Sequence, residues 1–343
     1  MLSTGNVSVC EHPGVQQASP FVDDFHRPVE YVRLAVTTAC NLRCSYCMRE
    51  EHINNTAKSV SLTRHEISTI IKVLADHGVT KIRFTGGEPL LRADIVDLVR
   101  DAKQQSGITT VGLTTNGLLL DRFLPELKDA GLDAINFSID TLHRERYKTI
   151  TRRDEYSRAR ANLEMVLDAS AIALKLNVVM MREVNSDELR DFVDLTREHL
   201  LTVRFMELQP FDDNQIWRTG RFLGAEKIEA LLKGAYKELQ ACDGRATQHF
   251  SYTLPGHKGR IAIIPAYTRN FCSQCNKIRI TSTGKIISCL YEKEGLELRP
   301  LLHSNASEAD LAELLYTAVS RKPENGRHVA NESARTSMSE IGG

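Results

Sequence analysis

The chain has 343 residues, 42% hydrophobic and 26% charged, an ordinary globular composition with room for one large domain, or for a domain plus an appendage. Its 44 basic and 44 acidic residues cancel, which excludes a global electrostatic pull toward nucleic acid or membrane, so an anionic substrate has to be held by a local cluster of Arg and Lys. No apolar run approaches the roughly 18–20 residues of a membrane span, and the first thirty residues lack the basic-then-apolar layout of a secretory signal; a cytoplasmic protein is expected.

Residues 1–28 mix Ser, Gly, Pro and charges without periodicity and read as a flexible extension. From residue 29 to about 210, short apolar runs alternate with amphipathic ones. The strand candidates are Arg33–Thr37, Lys81–Thr85, Thr109–Thr115, Ala134–Ile139, Leu174–Met180 and Thr202–Glu207. Between them lie helical patterns at Thr63–His77, Ile95–Gln105, Arg122–Ala130, Arg158–Ala169 and Asp187–Leu200. Thr63 with Glu66 three residues on has the form of a capping box. Strand–helix alternation of this kind predicts an α/β fold with a parallel sheet, closed partly or wholly into a TIM-type barrel. Such barrels carry their chemistry at the C-terminal ends of the strands. Beyond Gln209 the pattern changes to a loop at Asp212–Gly220, a helix at Glu226–Lys233, short strands within Gly244–Ile264 and a helix at Ala309–Val319. This predicts a smaller C-terminal module over residues 211–330, followed by a tail, 331–343, ending in Gly342-Gly343.

Eight cysteines in a chain without an export signal argue for metal rather than disulfides. Six of them form two triplets, while Cys10 and Cys242 stand apart as structural thiols. Cys40-x3-Cys44-x2-Cys47 follows the first strand. Three thiolates so close can take three corners of a 4Fe–4S cube, leaving one iron open to a small molecule. Zinc would want a fourth N or S ligand, for which His52 is the near candidate. At the end of the second strand stands Phe84-Thr85-Gly86-Gly87-Glu88-Pro89. Its paired glycines allow close backbone approach to a ligand, and Glu88 can accept from an ammonium group. Thr114 to Gly117 and Ser138 end the next two strands, where they also suit plain turns. The second triplet, Cys272-x2-Cys275-x13-Cys289, again offers three thiolates; zinc with His249 or His257 as a fourth ligand fits its spacing equally.

C-x3-C-x2-C with an aromatic residue before the last Cys resembles the signature of the radical S-adenosylmethionine (SAM) superfamily, and Gly86 to Pro89 resembles its GGEP motif. The resemblance implies a partial (βα)6 barrel. It also implies an open iron that chelates SAM, and reductive cleavage of SAM to a 5′-deoxyadenosyl radical. Tyr31-Val32-Arg33-Leu34, the Cys275-Asn-Lys-Ile-Arg279 run and the terminal Gly-Gly further resemble the GTP 3′,8-cyclase family of molybdenum cofactor biosynthesis, over nearly the whole chain.

That resemblance implies a lyase with two 4Fe–4S clusters, the second held by Cys272, Cys275 and Cys289 and contacting the guanine base. SAM positions fall on Tyr46, Gly87, Glu88, Ser138 and Gln209. GTP positions fall on Arg33, Arg83, Thr114, Lys175, Lys277, Ile278 and Arg279. Lys277 stands where the family has Arg, keeping the charge but not the bidentate fork. Gln209 stands where the family has Met. The implied partners are a flavodoxin- or ferredoxin-type reductant, a downstream cyclic pyranopterin monophosphate synthase and a second copy of the chain. The tail is expected to reach the site. A peptide-modifying radical SAM enzyme and a zinc-binding regulator are the rival readings; the first usually carries more C-terminal cysteines and lacks the basic set.

Overall fold

The computed structural model of the protein describes residues 18–47, 60–169, 172–209, 219–242, 250–268, 272–292, 294–304, 306–326 and 329. Cys10, His52, His249, residues 212–218 of the expected loop and the tail with Gly342 and Gly343 lie outside them.

The six expected strands form, each within two residues of its expected bounds: β1 (Tyr31–Ala35), β2 (Lys81–Thr85), β3 (Thr110–Thr115), β4 (Ala134–Ser138), β5 (Ala173–Met180) and β6 (Leu201–Glu207). They pair in parallel in chain order. The expected helices are α1 (Arg64–Asp76), α2 (Ile95–Gln104), α3 (Leu120–Asp129), α5 (Tyr156–Asp168) and α6 (Leu189–Glu198). The capping box on α1 is present, with Thr63 Oγ1 accepting from Glu66 N and Glu66 Oε2 accepting from Thr63 N at 2.6 Å. One further helix, α4 (Arg144–Thr151), gives no periodic signal because it buries only Tyr147, Ile150 and Thr151.

The C-terminal strands are β7 (Gln240–Cys242), β8 (Phe250–Thr253), β9 (Arg260–Ile264), β10 (Lys277–Ile280), β11 (Lys285–Ile287) and β12 (Leu296–Glu297); the longer helices there are α7 (Ala225–Ala235) and α8 (Glu308–Ser320), with a single turn at Arg299–Leu302 between β12 and α8. They do not make a sheet of their own. All twelve strands share one sheet, β12-β11-β10-β1-β2-β3-β4-β5-β6-β9-β8-β7. β10 runs parallel to β1 and β9 parallel to β6, so both edges of the six-stranded core are occupied by the C-terminal region. An uncovered parallel edge exposes a row of unpaired N–H and C=O groups, and these two strands remove it.

Alternation along the strands separates two chemistries. On one face lie Val32, Leu34, Ile82, Phe84, Val111, Leu113, Ile135, Phe137, Leu176 and Val203, all buried, in one core with the apolar faces of the helices. Between them on β1–β6 and β10 alternate Arg33, Arg83, Thr114, Asn136, Ser138, Lys175, Asn177, Arg204, Lys277 and Arg279. The sheet therefore turns a polar, strongly cationic face away from the helices.

Residues 18–28 of the N-terminal extension differ from their expected flexible character. They are docked: Phe21 is fully buried and stacks on His77 with ring centroids 4.6 Å apart. Asp23 and Arg27 are buried as a pair, Nε to Oδ2 2.6 Å. A single aromatic and one ion pair carry no periodicity, so the pattern of the segment gives no sign of this docking.

Candidate active site

The loop after β1 carries the first triplet and is tied down on two sides. Arg43 N donates to Thr151 O at 3.0 Å and Ser45 N to Ile150 O at 2.9 Å, at the end of α4. Tyr46 Oη donates to Asp140 Oδ2 at 2.6 Å, just beyond β4, and Asp140 Oδ1 accepts from Val179 N at 2.8 Å. Burial raises Asp140 to about 6. Cys40, Cys44 and Cys47 are half-buried and form no disulfide. Burial pushes Cys40 up to about 11, while Cys44 is raised by burial and then by the neighbouring Cys47, Asp140 and Cys40. A buried thiol whose ionisation its two neighbours oppose is costly to deprotonate alone, and iron charge reverses that cost. Donors already point at sulfur: Leu42 N lies 3.4 Å and Asn116 Nδ2 4.0 Å from Cys40 Sγ. Among the described residues no three His, Cys, Asp or Glu side chains stand at metal-ligating spacing; the fit to a cluster rests on the donor set and its surroundings.

The Gly-Gly-Glu-Pro turn departs from the sequence reading in two respects. Its glycines serve approach to the neighbouring loop. A Cβ on Gly87 would stand 2.2 Å from Ala39 O, and one on Gly86, at φ +151°, 2.4 Å from Thr37 O. Gly87 N and Glu88 N donate to Thr37 O and Ala39 O at 2.8 and 2.7 Å, locking the turn to the cysteine loop. Nor does the Glu88 carboxylate await an ammonium ion. It is buried and accepts from Leu90 N at 3.1 Å, Thr115 Oγ1 at 2.7 Å and Asn116 N at 2.8 Å. Burial raises it to about 7 against those three donors. Glu88 braces the ends of β2 and β3, and what the turn presents outward is backbone.

The cationic face gathers around Tyr31, a residue the sequence reading used only as part of a motif. Its hydroxyl accepts from Arg83 Nε at 2.9 Å and Arg33 Nε at 3.3 Å. Lys81 Nζ and Lys277 Nζ lie 5.0 and 5.4 Å from its ring centroid, within cation–π range. Burial alone would raise the Tyr31 phenol, but Arg33, Arg83 and Lys277 outweigh it and hold the phenol well below its ordinary value. The Arg83 guanidinium crosses Gly112, where a Cβ would meet its Cζ at 2.9 Å, and Nη1 donates to Leu113 O at 3.1 Å. Arg204 was not among the expected substrate positions. It is pushed down to about 9 by burial and then by Arg83 and Arg33, and its Nε donates to Asn177 Oδ1 at 2.9 Å. Burial and neighbouring cations likewise lower Lys175 to about 8 and Lys277 to about 7. Among the described residues no carboxylate pairs with Arg33, Arg83, Lys175 or Arg204. A row of desolvated cations without counter-ions is stable only when an anion completes it.

Register places Arg33, Arg83 and Arg279 in one row and Thr114 and Lys175 on either side of Asn136 in another. Ile278, expected with Lys277 and Arg279, alternates to the opposite face and is buried against the core, paired with Val32. Any part it takes in binding is through its backbone.

The second triplet lies at the start of β10 and beyond β11. Cys272, Cys275 and Cys289 are free thiols. Gly326 N donates to Cys272 Sγ at 3.2 Å, and a Cβ on Gly326 would stand 3.2 Å from Cys289 Sγ. Burial pushes Cys289 up to about 11. Cys275 is lowered: burial opposes its ionisation, but Lys322, a backbone donor at Lys277 and the Lys277 charge prevail. His257, the described candidate for a fourth zinc ligand, is engaged elsewhere, its Nδ1 2.8 Å from Thr196 Oγ1. A thiolate set with a sulfur-directed N–H donor, and no fourth ligand among the described residues, fits an open-iron cluster.

Residues 34–196 match the model of the Radical SAM superfamily, and residues 201–328 match that of Molybdenum Cofactor Synthesis C. The GTP 3′,8-cyclase of Chlorobaculum tepidum is 53% identical over 94% of this chain and 96% of its own length. The chain belongs to the GTP 3′,8-cyclase family. Molybdenum cofactor biosynthesis protein 1 of Homo sapiens is 38% identical over 90% of the chain, which spans about half of that protein. The crystal structure of Streptococcus suis SuiB bound to S-adenosylmethionine shares the fold, with a TM-score of 0.59 at 15% identity over 84% of this chain and 66% of that one. For a GTP 3′,8-cyclase family member, the α/β sheet with its C-terminal extension is the expected architecture, and two 4Fe–4S clusters with SAM are its cofactors.

Within that family assignment, Gln209 acquires a structural argument. Its amide Oε1 is buried and accepts no hydrogen bond, a state that costs roughly 1–3 kcal/mol unless a ligand donor meets it. Asn136 Oδ1, on the cationic face, is buried and unsatisfied in the same way. Ser138, at the end of β4, accepts from Asn177 Nδ2 at 3.5 Å, in the next polar row, which Arg204 continues.

Proposed function

We propose that this chain converts GTP to (8S)-3′,8-cyclo-7,8-dihydroguanosine 5′-triphosphate, the first step of molybdenum cofactor biosynthesis. The observation that carries this reading is the cationic face of Arg33, Arg83, Lys175 and Arg204 on β1, β2, β5 and β6, which no carboxylate of the described residues pairs. A triphosphate brings about four negative charges, and convergent Arg and Lys are the matching chemistry. The proposed ligands are Cys40, Cys44 and Cys47 for the first cluster and Cys272, Cys275 and Cys289 for the second. The first cluster with SAM, held by those residues, would supply the 5′-deoxyadenosyl radical chemistry needed to activate C3′ of GTP.

The protein's own residues position and exclude. Tyr31 spaces the cations through two accepted hydrogen bonds. Asn177 orients Arg204, and Gly112 lets Arg83 lie flat across β3. Glu88 and the Gly86-Gly87 contacts hold the cysteine loop against β2. Tyr46, Gly87, Ser138 and Gln209 border the proposed SAM position, and Thr114, Lys277 and Arg279 that of GTP. No side chain is asked to act as a nucleophile, since the hard chemistry belongs to the cofactors.

No helix among the described residues is long and apolar enough to cross a membrane. We place the enzyme in the cytoplasm, where free thiols stay reduced. It would act with a flavodoxin- or ferredoxin-type donor before cyclic pyranopterin monophosphate synthase, as one subunit of a homodimer. The C-terminal Gly342 and Gly343 are proposed to enter the site, and a tag fused after Gly343 tests that.

The deciding experiment is anaerobic incubation of the iron-reconstituted protein with SAM, dithionite and GTP. The reading requires 5′-deoxyadenosine and the cyclic nucleotide in equal amounts. SAM cleavage with no GTP product, but with turnover of a peptide, would replace it with the peptide-modifying alternative.

Lys175 supplies a pH test. It is held near 8 in the free protein, so it is largely protonated at pH 7 and largely neutral at pH 9. Only the protonated form attracts the triphosphate, so affinity for GTP falls as pH rises through about 8, and binding at pH 8 takes up protons. Titration calorimetry at pH 8 in two buffers of different ionisation enthalpy should show this uptake. Lys175→Arg, which stays charged throughout, should lower the uptake and flatten the affinity profile; an unchanged profile would contradict the assignment of Lys175.

A further inference from the structure

Behind the second cysteine triplet lie two buried basic residues with different charge accounts. Arg27 is already neutralised: Nε donates to Asp23 Oδ2 at 2.6 Å, and its remaining donors reach the carbonyls of Cys272, Pro323 and Glu324. Lys322 is only 3% exposed. Its Nζ donates to the carbonyls of Cys275 and Lys277, and no carboxylate of the described residues pairs with it. Two carbonyl dipoles solvate a buried ammonium only in part, and a full buried charge is retained where an opposite charge completes it.

The nearest group able to supply that charge is the thiolate set itself. With three cysteine thiolates on a 4Fe–4S core, negative charge exceeds positive, and each added electron increases the excess. Lys322 sits on the backbone of one of those cysteines, and Gly326, four residues on, donates its N–H to the sulfur of another. The segment 322–326 therefore brings one uncompensated cation and one N–H donor to the triplet.

We propose that Lys322 is the counter-charge of the second cluster and sets its reduction potential upward, favouring the reduced form. This rests on the assignment of Cys272, Cys275 and Cys289 as that cluster's ligands. A fixed cation stabilises the more anionic, reduced state more than the oxidised one, and net charge and hydrogen bonds to sulfur are the main protein levers on such potentials. The rival account is a purely mechanical latch, in which the ammonium only holds the two carbonyls.

The test uses the full chain carrying Cys40→Ala, Cys44→Ala and Cys47→Ala, so that the second cluster is the sole iron site. Iron and sulfide are counted after anaerobic reconstitution, and the reduced fraction is followed by electron paramagnetic resonance during a redox titration. At the potential where this parent is half reduced, Lys322→Gln should lower the reduced-to-oxidised ratio about tenfold, equivalent to ~59 mV for one electron. Lys322→Arg should stay within about twofold of the parent. Loss of the cluster in Lys322→Gln but not in Lys322→Arg also supports the charge role. An unchanged ratio in a fully loaded Lys322→Gln, or loss of iron in both variants, overturns it in favour of the latch. A parent that binds no iron would instead remove the ligand assignment beneath it.

Discussion

Replacing Cys44 by alanine should abolish 5′-deoxyadenosine formation and lower bound iron from about eight to about four atoms per chain, the content of one 4Fe–4S cluster. Cys44 is the central member of its triplet, its ionisation opposed by both Cys47 and Cys40 as well as by burial and Asp140. Removing it leaves two thiols, too few to hold a cube with one open iron. The loop itself should survive, because Arg43, Ser45 and Tyr46 hold it through bonds to Thr151, Ile150 and Asp140 that do not involve the Cys44 sulfur. The second triplet lies in a different loop, so its iron should remain. Iron and sulfide analysis with anaerobic product detection checks both halves; retention of about eight irons would show that Cys44 is not a ligand.

Arg83→Gln should raise the dissociation constant for GTP by about 30- to 150-fold while leaving iron content and GTP-independent SAM cleavage intact. A charge-assisted hydrogen bond to a buried anion contributes about 2–3 kcal/mol. Arg83 is 2% exposed and held in place by Tyr31 Oη and Leu113 O. Arg83→Lys should recover only part of the loss, since the ammonium cannot form the fork or reach across Gly112 in the same plane. The ligand-free protein should respond in the opposite sense. Removing one cation from the group around Arg33, Arg204 and Lys175 relieves repulsion, so the thermal midpoint of ligand-free Arg83→Gln should match or exceed that of the parent. Such opposition between stability and binding is expected where a site is built for an absent charge. A fall in both stability and affinity would mean that Arg83 is a structural residue.

Parallel strands and their helices were legible because burial imposes a period. The apolar set on β1–β6 alternates with the polar one, and this alternation located all six strands. The capping box at Thr63 and Glu66 was legible for a similar reason, being a local exchange of two hydrogen bonds across one turn. The helix α4 was not, since with three buried positions it scarcely perturbs the polar sequence around it. The first cysteine triplet was legible by spacing, because ligands contributed by one loop must lie close in the chain; the second spans β10 and β11, and its spacing alone left zinc open.

The sequence by itself put forward the candidate donor sets and the cationic residues of β1, β2, β5 and β10. Only the tertiary structure decided what they do to one another. Tyr31 gathers Lys81 and Arg83 because β2 pairs with β1, and Lys277 because β10 pairs with β1 in register, an association spanning more than 240 residues that no local pattern carries. Arg204 joins the site, and Ile278 leaves it, through strand parity. Gly87 and Glu88 turn out to serve the neighbouring loop because Thr37 and Ala39 come within hydrogen-bonding distance of them. The Asp23–Arg27 pair and Lys322, from the two ends of the described chain, meet at the second triplet. Contacts of this kind depend on burial and on long-range pairing, which leave no period in the sequence.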